Sequence, residues 1–192
     1  MTISEEKQAL RRALREQERT LTPDYRVQAD ASIAAHLLAL DSYQSARTVF
    51  CFVSTPREID THPILLDALK TGKRLCVPRC APERQMDLVH IHSMDDLEAG
   101  AYGIWEPKSG LPCLMPEEID LAVLPCLSCD RQGGRLGRGG GYYDRFLAVY
   151  PGSSVLLCRE ALLQPQLPLE PHDISIPCVI TEAGVYDNGS IR

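Results

Sequence analysis

The residues best placed to do chemistry lie late in the chain, as Gly133-Gly134-Arg135-Leu136-Gly137-Arg138-Gly139-Gly140-Gly141-Tyr142-Tyr143-Asp144-Arg145, with six glycines in the nine positions 133–141. Glycine has no Cβ, so successive backbone N–H groups can turn toward one anion. The aromatic and apolar residues that follow read as a helix, whose N-terminal end adds positive potential. Arg135 and Arg138 supply fixed charge with bidentate donors. This is the pattern of a phosphate cradle. A flexible surface loop is the alternative, but such linkers are Gly/Ser-rich and do not open onto an apolar helix. A Walker A loop ends Gly-Lys-Ser/Thr, whereas here Tyr142-Tyr143-Asp144 follows, and a Gly-x-Gly-x-x-Gly reading of Gly137 to Tyr142 fails at its last glycine.

A second constellation, Val53-Ser54-Thr55-Pro56-Arg57-Glu58-Ile59-Asp60-Thr61, follows a strand-like run and can face the same crevice. Glu58 reads equally well as an acceptor for a substrate N–H or as a solvated loop carboxylate. In Tyr102-Gly103-Ile104-Trp105-Glu106-Pro107, the single Trp of the chain is read as a core-packing residue, with an aromatic ligand wall as the alternative. Glu170-Pro171-His172-Asp173 reads as a turn. The eight cysteines fall mostly within apolar runs, where a free thiol behaves as a small core residue. Cys126 and Cys129 form a C-x-x-C, but no second tight pair or His-x₃₋₅-His accompanies them, so a zinc site is not expected.

Those side chains need a frame. At 192 residues and 44% hydrophobic content the chain suits one core, and residues 1–192 are expected to form a single domain. A net charge of −6 argues against a general nucleic-acid or anionic-membrane surface, which leaves a small anion as the partner of the local arginines. With no apolar leader and no run of ~18 apolar residues, a cytoplasmic protein is expected. Helices are expected from a Ser4 cap, from Thr22-Pro23 with Val27, Ala31, Ala34 and Leu38 as the apolar stripe, over Pro63 to Lys70, and over Tyr142 to Tyr150. Strands are expected over Thr48 to Val53, Leu75 to Pro78, Asp87 to Ile91, Leu121 to Leu124, Val155 to Cys158 and Cys178 to Thr181. Continuous apolar strands alternating with helices give an α/β fold, a mainly parallel sheet with helices on both faces. Ligands bind such sheets beyond the carboxyl ends of the strands.

Taken together, Lys7-x-x-x-Arg11, Pro56-x-Glu58-Ile59-x-Thr61, Tyr102-Gly103-Ile104-x-Glu106-Pro107, Arg135 to Asp144 and His172-Asp173 stand in the order and spacing of one family. Across nearly its whole length the chain resembles the 5-formyltetrahydrofolate cyclo-ligases, also called methenyltetrahydrofolate synthetases. The resemblance implies a Rossmann-like fold of the type shared with ribose-5-phosphate isomerase and CoA transferases. It also implies ATP- and Mg2+-dependent closure of 5-formyltetrahydrofolate to the 5,10-methenyl form, by an enzyme of small molecules that is a monomer or weak homodimer.

Carried over by position, the resemblance makes Lys7 and Arg11 phosphate ligands of ATP. Arg135, Leu136, Gly137, Arg138, Gly139, Gly140, Gly141, Tyr142 and Tyr143 become the ATP loop, with Arg138 and Tyr142 in catalysis. Val53 and Glu58 would hold the pterin and formyl end, and Arg138, Gly139, Gly140, Gly141 and Tyr142 would also touch the folate. Asp144 and Asp173 would be the magnesium ligands. Some members carry Lys where this chain has Gly140, and an acidic residue where it has Pro177. Two other readings stand beside this one: a sugar-phosphate isomerase or CoA transferase on the same sheet, and an ATP-sensing or thiol-based regulatory module using Cys126 and Cys129.

Overall fold

The computed structural model describes residues 2–81, 85–100 and 105–191. The motif residues Tyr102, Gly103 and Ile104 lie outside them. Among the described residues, no helix is long and apolar enough to cross a membrane.

Helix α1 (Ile3–Thr20) starts two residues earlier than a Ser4 cap would give. Thr2 is the N-cap, its hydroxyl accepting from the Glu5 N–H while the Glu5 carboxylate accepts from the Thr2 N–H. Helix α2 (Pro23–Leu38) begins as expected, with Thr22 capping and Pro23 in its first turn. Its buried face is Ala29, Asp30, Ile33, Ala34 and Leu37; of the expected stripe Ala34 is buried and Leu38 partly so, while Val27 and Ala31 are exposed. Alanines on several sides of this helix blur its apolar period, so sequence alone cannot fix the face.

A short α3 (Asp41–Ser45) leads to β1 (Thr48–Cys51), then α4 (His62–Lys70), β2 (Arg74–Cys80), β3 (Met86–Ile91), β4 (Leu97–Ala99), β5 (Trp105–Pro107), β6 (Cys113–Leu114) and β7 (Leu121–Leu124). A two-stranded hairpin, β8 (Ser128–Cys129) with β9 (Arg135–Leu136), precedes α5 (Tyr142–Val149). The chain ends with β10 (Ser153–Leu157), β11 (Cys178–Thr181), β12 (Gly184–Asp187) and β13 (Ser190–Ile191).

The main sheet has the order β13-β12-β11-β10-β7-β1-β2-β3-β6. The five strands from β11 to β2 are mutually parallel, and antiparallel pairs extend both edges. Pleating sends alternate residues of β1 to opposite faces. Val49 and Cys51 join Ile33 and Leu37 of α2 and Ile64 and Leu65 of α4, whereas Phe50 joins Leu14 of α1 and Phe146 of α5. Both faces are therefore covered by helices.

From β1 the chain crosses through α4 to β2 on one side. From β7, the other neighbour of β1, it crosses through α5 to β10 on the opposite side. The connections thus diverge between β1 and β7, the position at which open α/β sheets bind ligands.

Candidate functional site

Two segments leave the diverging strands. The first, residues 54–61, leaves the end of β1 and is tied down by its own side chains. Thr61 Oγ1 donates to the Phe52 carbonyl at 2.8 Å and accepts from the Ser54 N–H at 3.1 Å, while Ser54 Oγ accepts from the Thr61 N–H at 3.1 Å. From behind, a buried ion pair braces it. Arg159, just past β10, donates from Nε and Nη2 to the two carboxylate oxygens of Asp30 on α2, each at 2.8 Å. The same guanidinium donates to the carbonyls of Arg57 at 3.1 Å and Glu58 at 2.9 Å, and Asp30 also accepts from the Asp60 N–H. Glu58 is thereby held in a tight turn in which its Oε2 accepts from the Thr55 N–H at 2.9 Å.

The second segment is the glycine loop, which does not follow β7 directly. Gly133 and Gly134 close the hairpin turn made by Arg131 and Gln132, and Arg135 and Leu136 are strand β9, so only Gly137 to Gly141 form the open loop. Gly133 has φ +89°, and a Cβ there would stand 2.0 Å from the Ile176 carbonyl oxygen, so no other residue fits. Gly139 and Gly141 take φ of +104° and +75° where the loop turns into α5. Helix α1 clamps this loop: Arg11 Nε donates to the Gly137 carbonyl at 2.9 Å and Arg15 Nη2 to the Arg138 carbonyl at 3.0 Å.

Arg138 joins the two segments. Its Nε donates to Glu58 Oε1 at 3.2 Å, and its Nη2 and Nη1 to the carboxylate of Glu18 at 2.7 and 3.4 Å. Glu18 lies on α1 and is 2% exposed. Burial pulls the Arg138 pKa down, but the hydrogen bonds and charges of Glu18 and Glu58 outweigh it and hold the guanidinium above its ordinary value. These bonds use three of the five guanidinium donors. Arg135 is buried, donating to the Pro125 carbonyl at 3.1 Å and pairing with Asp144 in the first turn of α5. Desolvation first, and then the Glu58 charge, raise the Tyr143 phenol well above its usual range.

Two cavities meet at Glu58. One, of about 600 Å³, is lined by Arg26, Ser54, Pro56, Glu58, Trp105 and Arg159 among others. Trp105 is 46% exposed in its wall instead of packing in the core, because β5 pairs only with the short β4. The other, of about 220 Å³, is lined by Arg11, Glu58, Cys126, Arg135 and residues 137–144. The first is large enough for a whole drug-sized ligand, and the second only for part of one.

Of the residues singled out from sequence, Arg11, Glu58, Arg135, Gly137 to Tyr143 and Asp144 come together around the smaller cavity. Leu136 is core, and Val53 lies buried under the loop that carries Glu58. Lys7 is engaged elsewhere, donating to Asp173 at 2.5 Å and Glu170 at 3.0 Å. Burial lowers the Lys7 pKa, yet these two carboxylates outweigh it and hold it raised; burial raises the Asp173 pKa, yet Lys7 and the Glu170 N–H outweigh it and hold it lowered. Asp173 clusters with Glu170 and His172, and Asp144 stands apart from that group.

Glu18, Asp30 and Arg159 carry no local signal, since their ion-pair partners lie more than 100 positions away. All eight cysteines are free thiols and Cys129 and Cys158 are buried, as read from sequence; the structure adds that Cys158 meets Cys126 and Cys129, with all three sulfurs within 4.8 Å of one another. Contacts from Cys129 and Cys158, aided by Arg135 and Arg138, hold the Cys126 thiol well below its ordinary pKa.

The profile of the 5-formyltetrahydrofolate cyclo-ligase family matches residues 3–182. The 5-formyltetrahydrofolate cyclo-ligase of Mus musculus is 30% identical over 95% of this chain and 96% of its own, and that of Escherichia coli (strain K12) is 30% identical over 91% and 99%. The NMR structure of Aquifex aeolicus 5,10-methenyltetrahydrofolate synthetase superposes with a TM-score of 0.83 at 28% identity, covering 97% of this chain and 94% of that one. A 5,10-methenyltetrahydrofolate synthetase from Mycoplasma pneumoniae gives 0.74 at 19% identity, over 92% and 98%, a likeness of fold.

Proposed function

The chain belongs to the 5-formyltetrahydrofolate cyclo-ligase family, and from that premise we infer that it closes 5-formyltetrahydrofolate to 5,10-methenyltetrahydrofolate at the expense of ATP, releasing ADP and phosphate. The observation that carries this reading is that Glu58 lines both a large cavity with an aromatic wall and a small basic one formed by the glycine loop. A pterin and its aryl tail suit the first, and the phosphates of ATP suit the second.

A formamide oxygen is a poor leaving group. Transfer of the γ-phosphoryl group to it creates one that can depart: N10 attacks the formyl carbon, loses its proton, and phosphate leaves with the C–O bond electrons. Phosphoryl transfer needs positioning and charge neutralisation rather than a side-chain nucleophile. Arg138 is the catalytic cation in this reading. With its Nη end held by Glu18 and its Nε by Glu58, it keeps one N–H on each of Nη1 and Nη2, either of which can reach a transferring phosphoryl group. Glu58 accepts from pterin N–H donors, and Val53 supports its loop from beneath. Tyr142 lies in the cavity wall near the reacting groups, and the N–H groups of Gly139, Gly140 and Gly141 face both substrates. Arg11 and Arg135 shape the phosphate site, and Lys7, four residues before Arg11 on α1, joins them in this reading only by leaving Asp173 and Glu170.

Magnesium would neutralise phosphate charge. The donors suit a hard cation, which takes one or two carboxylates: Asp144 is an exposed carboxylate at the cavity wall, and Asp173 is the second candidate, beside Lys7. The enzyme acts on small molecules, in the cytoplasm, as one domain over residues 1–192 and as a monomer or weak homodimer.

The test is 5-formyltetrahydrofolate-dependent ATP consumption, followed together with the near-ultraviolet absorbance of the methenyl product. Glu58→Gln should raise KM for 5-formyltetrahydrofolate several-fold or more, consistent with about 1–3 kcal/mol for an impaired buried acceptor, with ATP affinity nearly constant. Absence of coupled turnover refutes the reaction; loss of ATP affinity alone in the variant reverses the placement of the two ligands.

A further inference from the structure

Three of the eight cysteines converge at the carboxyl ends of two neighbouring strands. In the parallel register of β7 and β10, Leu124 stands opposite Leu156. Cys126 and Cys158, each two residues further on, therefore emerge at one level. The C-x-x-C spacing then turns Cys129 back toward both, and the three sulfurs lie within 4.8 Å of one another. Cys129 and Cys158 are buried, whereas half-buried Cys126 lines the small cavity.

We propose that Cys126, Cys129 and Cys158 form a three-thiolate site for one soft d10 cation, Zn2+ being the biological example, with its fourth coordination position opening into the phosphate cavity. A Zn–S bond of about 2.3 Å in a tetrahedron needs sulfurs about 3.8 Å apart, so closing the set takes movements of about 1 Å at most. Three thiolates and a dication leave one net negative charge, beside a cavity that the guanidiniums of Arg135 and Arg138 also line. The set offers sulfur alone, which selects a soft ion over the hard Mg2+ of the proposed reaction. Three protein ligands with a fourth position facing a cavity is an open site, so a bound ion exchanges with solvent and stands where the nucleotide phosphates approach.

Titration of the reduced, substrate-free protein with Cd2+, a spectroscopic stand-in for Zn2+, tests this without reference to the reaction. One equivalent per chain should give a thiolate-to-metal charge-transfer band in the ultraviolet, and Zn2+ should abolish it. The band should fall by at least half in Cys126→Ser and in Cys158→Ser, and persist when the exposed thiols are removed as Cys80→Ser with Cys113→Ser. Should the buried Cys158→Ser fail to fold, as circular dichroism would reveal, Cys126→Ser decides alone. No band at one equivalent, a band undiminished in Cys126→Ser, or one lost with Cys80 and Cys113 overturns the site.

Discussion

Arg159→Ala should cost about 3–5 kcal/mol of stability, the usual result of stranding one member of a buried ion pair. Arg159 is 2% exposed and bonds both oxygens of Asp30 at 2.8 Å. Without the guanidinium, the Asp30 carboxylate keeps the Asp60 N–H as its donor and has little access to water. Asp30→Ala should be comparably harmful, since it strands the cation instead. The double variant removes both charges together, and should cost no more than either single change, because the dominant penalty is the unpaired charge and not the lost attraction. Urea unfolding of the wild type and the three variants gives the cycle. The loop provides an independent readout: losing the bonds from Arg159 to the Arg57 and Glu58 carbonyls loosens Glu58, so the two variants that lack Arg159 should raise KM for 5-formyltetrahydrofolate more than KM for ATP. Costs that simply add in the double variant would refute the stranded-charge argument, and equal effects on the two Michaelis constants would refute the role given to the loop.

Arg138→Ala should lower kcat/KM by about 2–4 kcal/mol, the size of removing one charged transition-state donor; a smaller loss under steady-state assay removes it from catalysis. Asp144→Asn should raise the magnesium concentration needed for half-maximal turnover, and an unchanged requirement excludes Asp144 as a ligand. Lys7→Met should destabilise the chain by roughly 1–3 kcal/mol at neutral pH, by leaving Asp173 without its ammonium. Lowered from 3.8, the Asp173 pKa gives a contribution present above its unfolded value and lost as pH falls through the folded one; raised from 10.5, that of Lys7 gives one full below its unfolded value and lost as pH rises through the folded one. The destabilisation should therefore be constant across neutral pH and shrink below about 3.8, and a difference that persists in acid denies the ion pair.

What sequence revealed was whatever depends on near neighbours along the chain. The glycine loop, the apolar strands and the Thr22-Pro23 helix start are short-range patterns, and each appears close to its expected place. The hairpin β8–β9 escaped because strands of two residues have no measurable period, and the antiparallel edges because alternation gives a strand's existence but not its direction. Trp105 reads as core from sequence, yet its strand pairs only with β4, outside the main sheet. Glu18, Asp30, Arg159 and Cys158 join the site through contacts spanning tens to more than a hundred residues, which no window on a single sequence contains.

The arginines of the site also explain how a chain of net charge −6 presents an anion pocket. Arg138 is held by Glu18 and Glu58, Arg135 by Asp144, and Lys7 by Asp173 and Glu170. An arriving phosphate therefore meets paired cations and competes with carboxylates for them. The competitors differ in mobility. Asp144 has a side chain 63% exposed and can turn to water or a metal ion at little cost, whereas Glu18, buried on α1, cannot. Arg138 thus keeps Glu18 and the direction it imposes, while Arg135 can be released by its partner. One guanidinium is fixed for the transition state and the other is adjustable for binding, a division that follows from the burial of their carboxylates rather than from the arginines themselves.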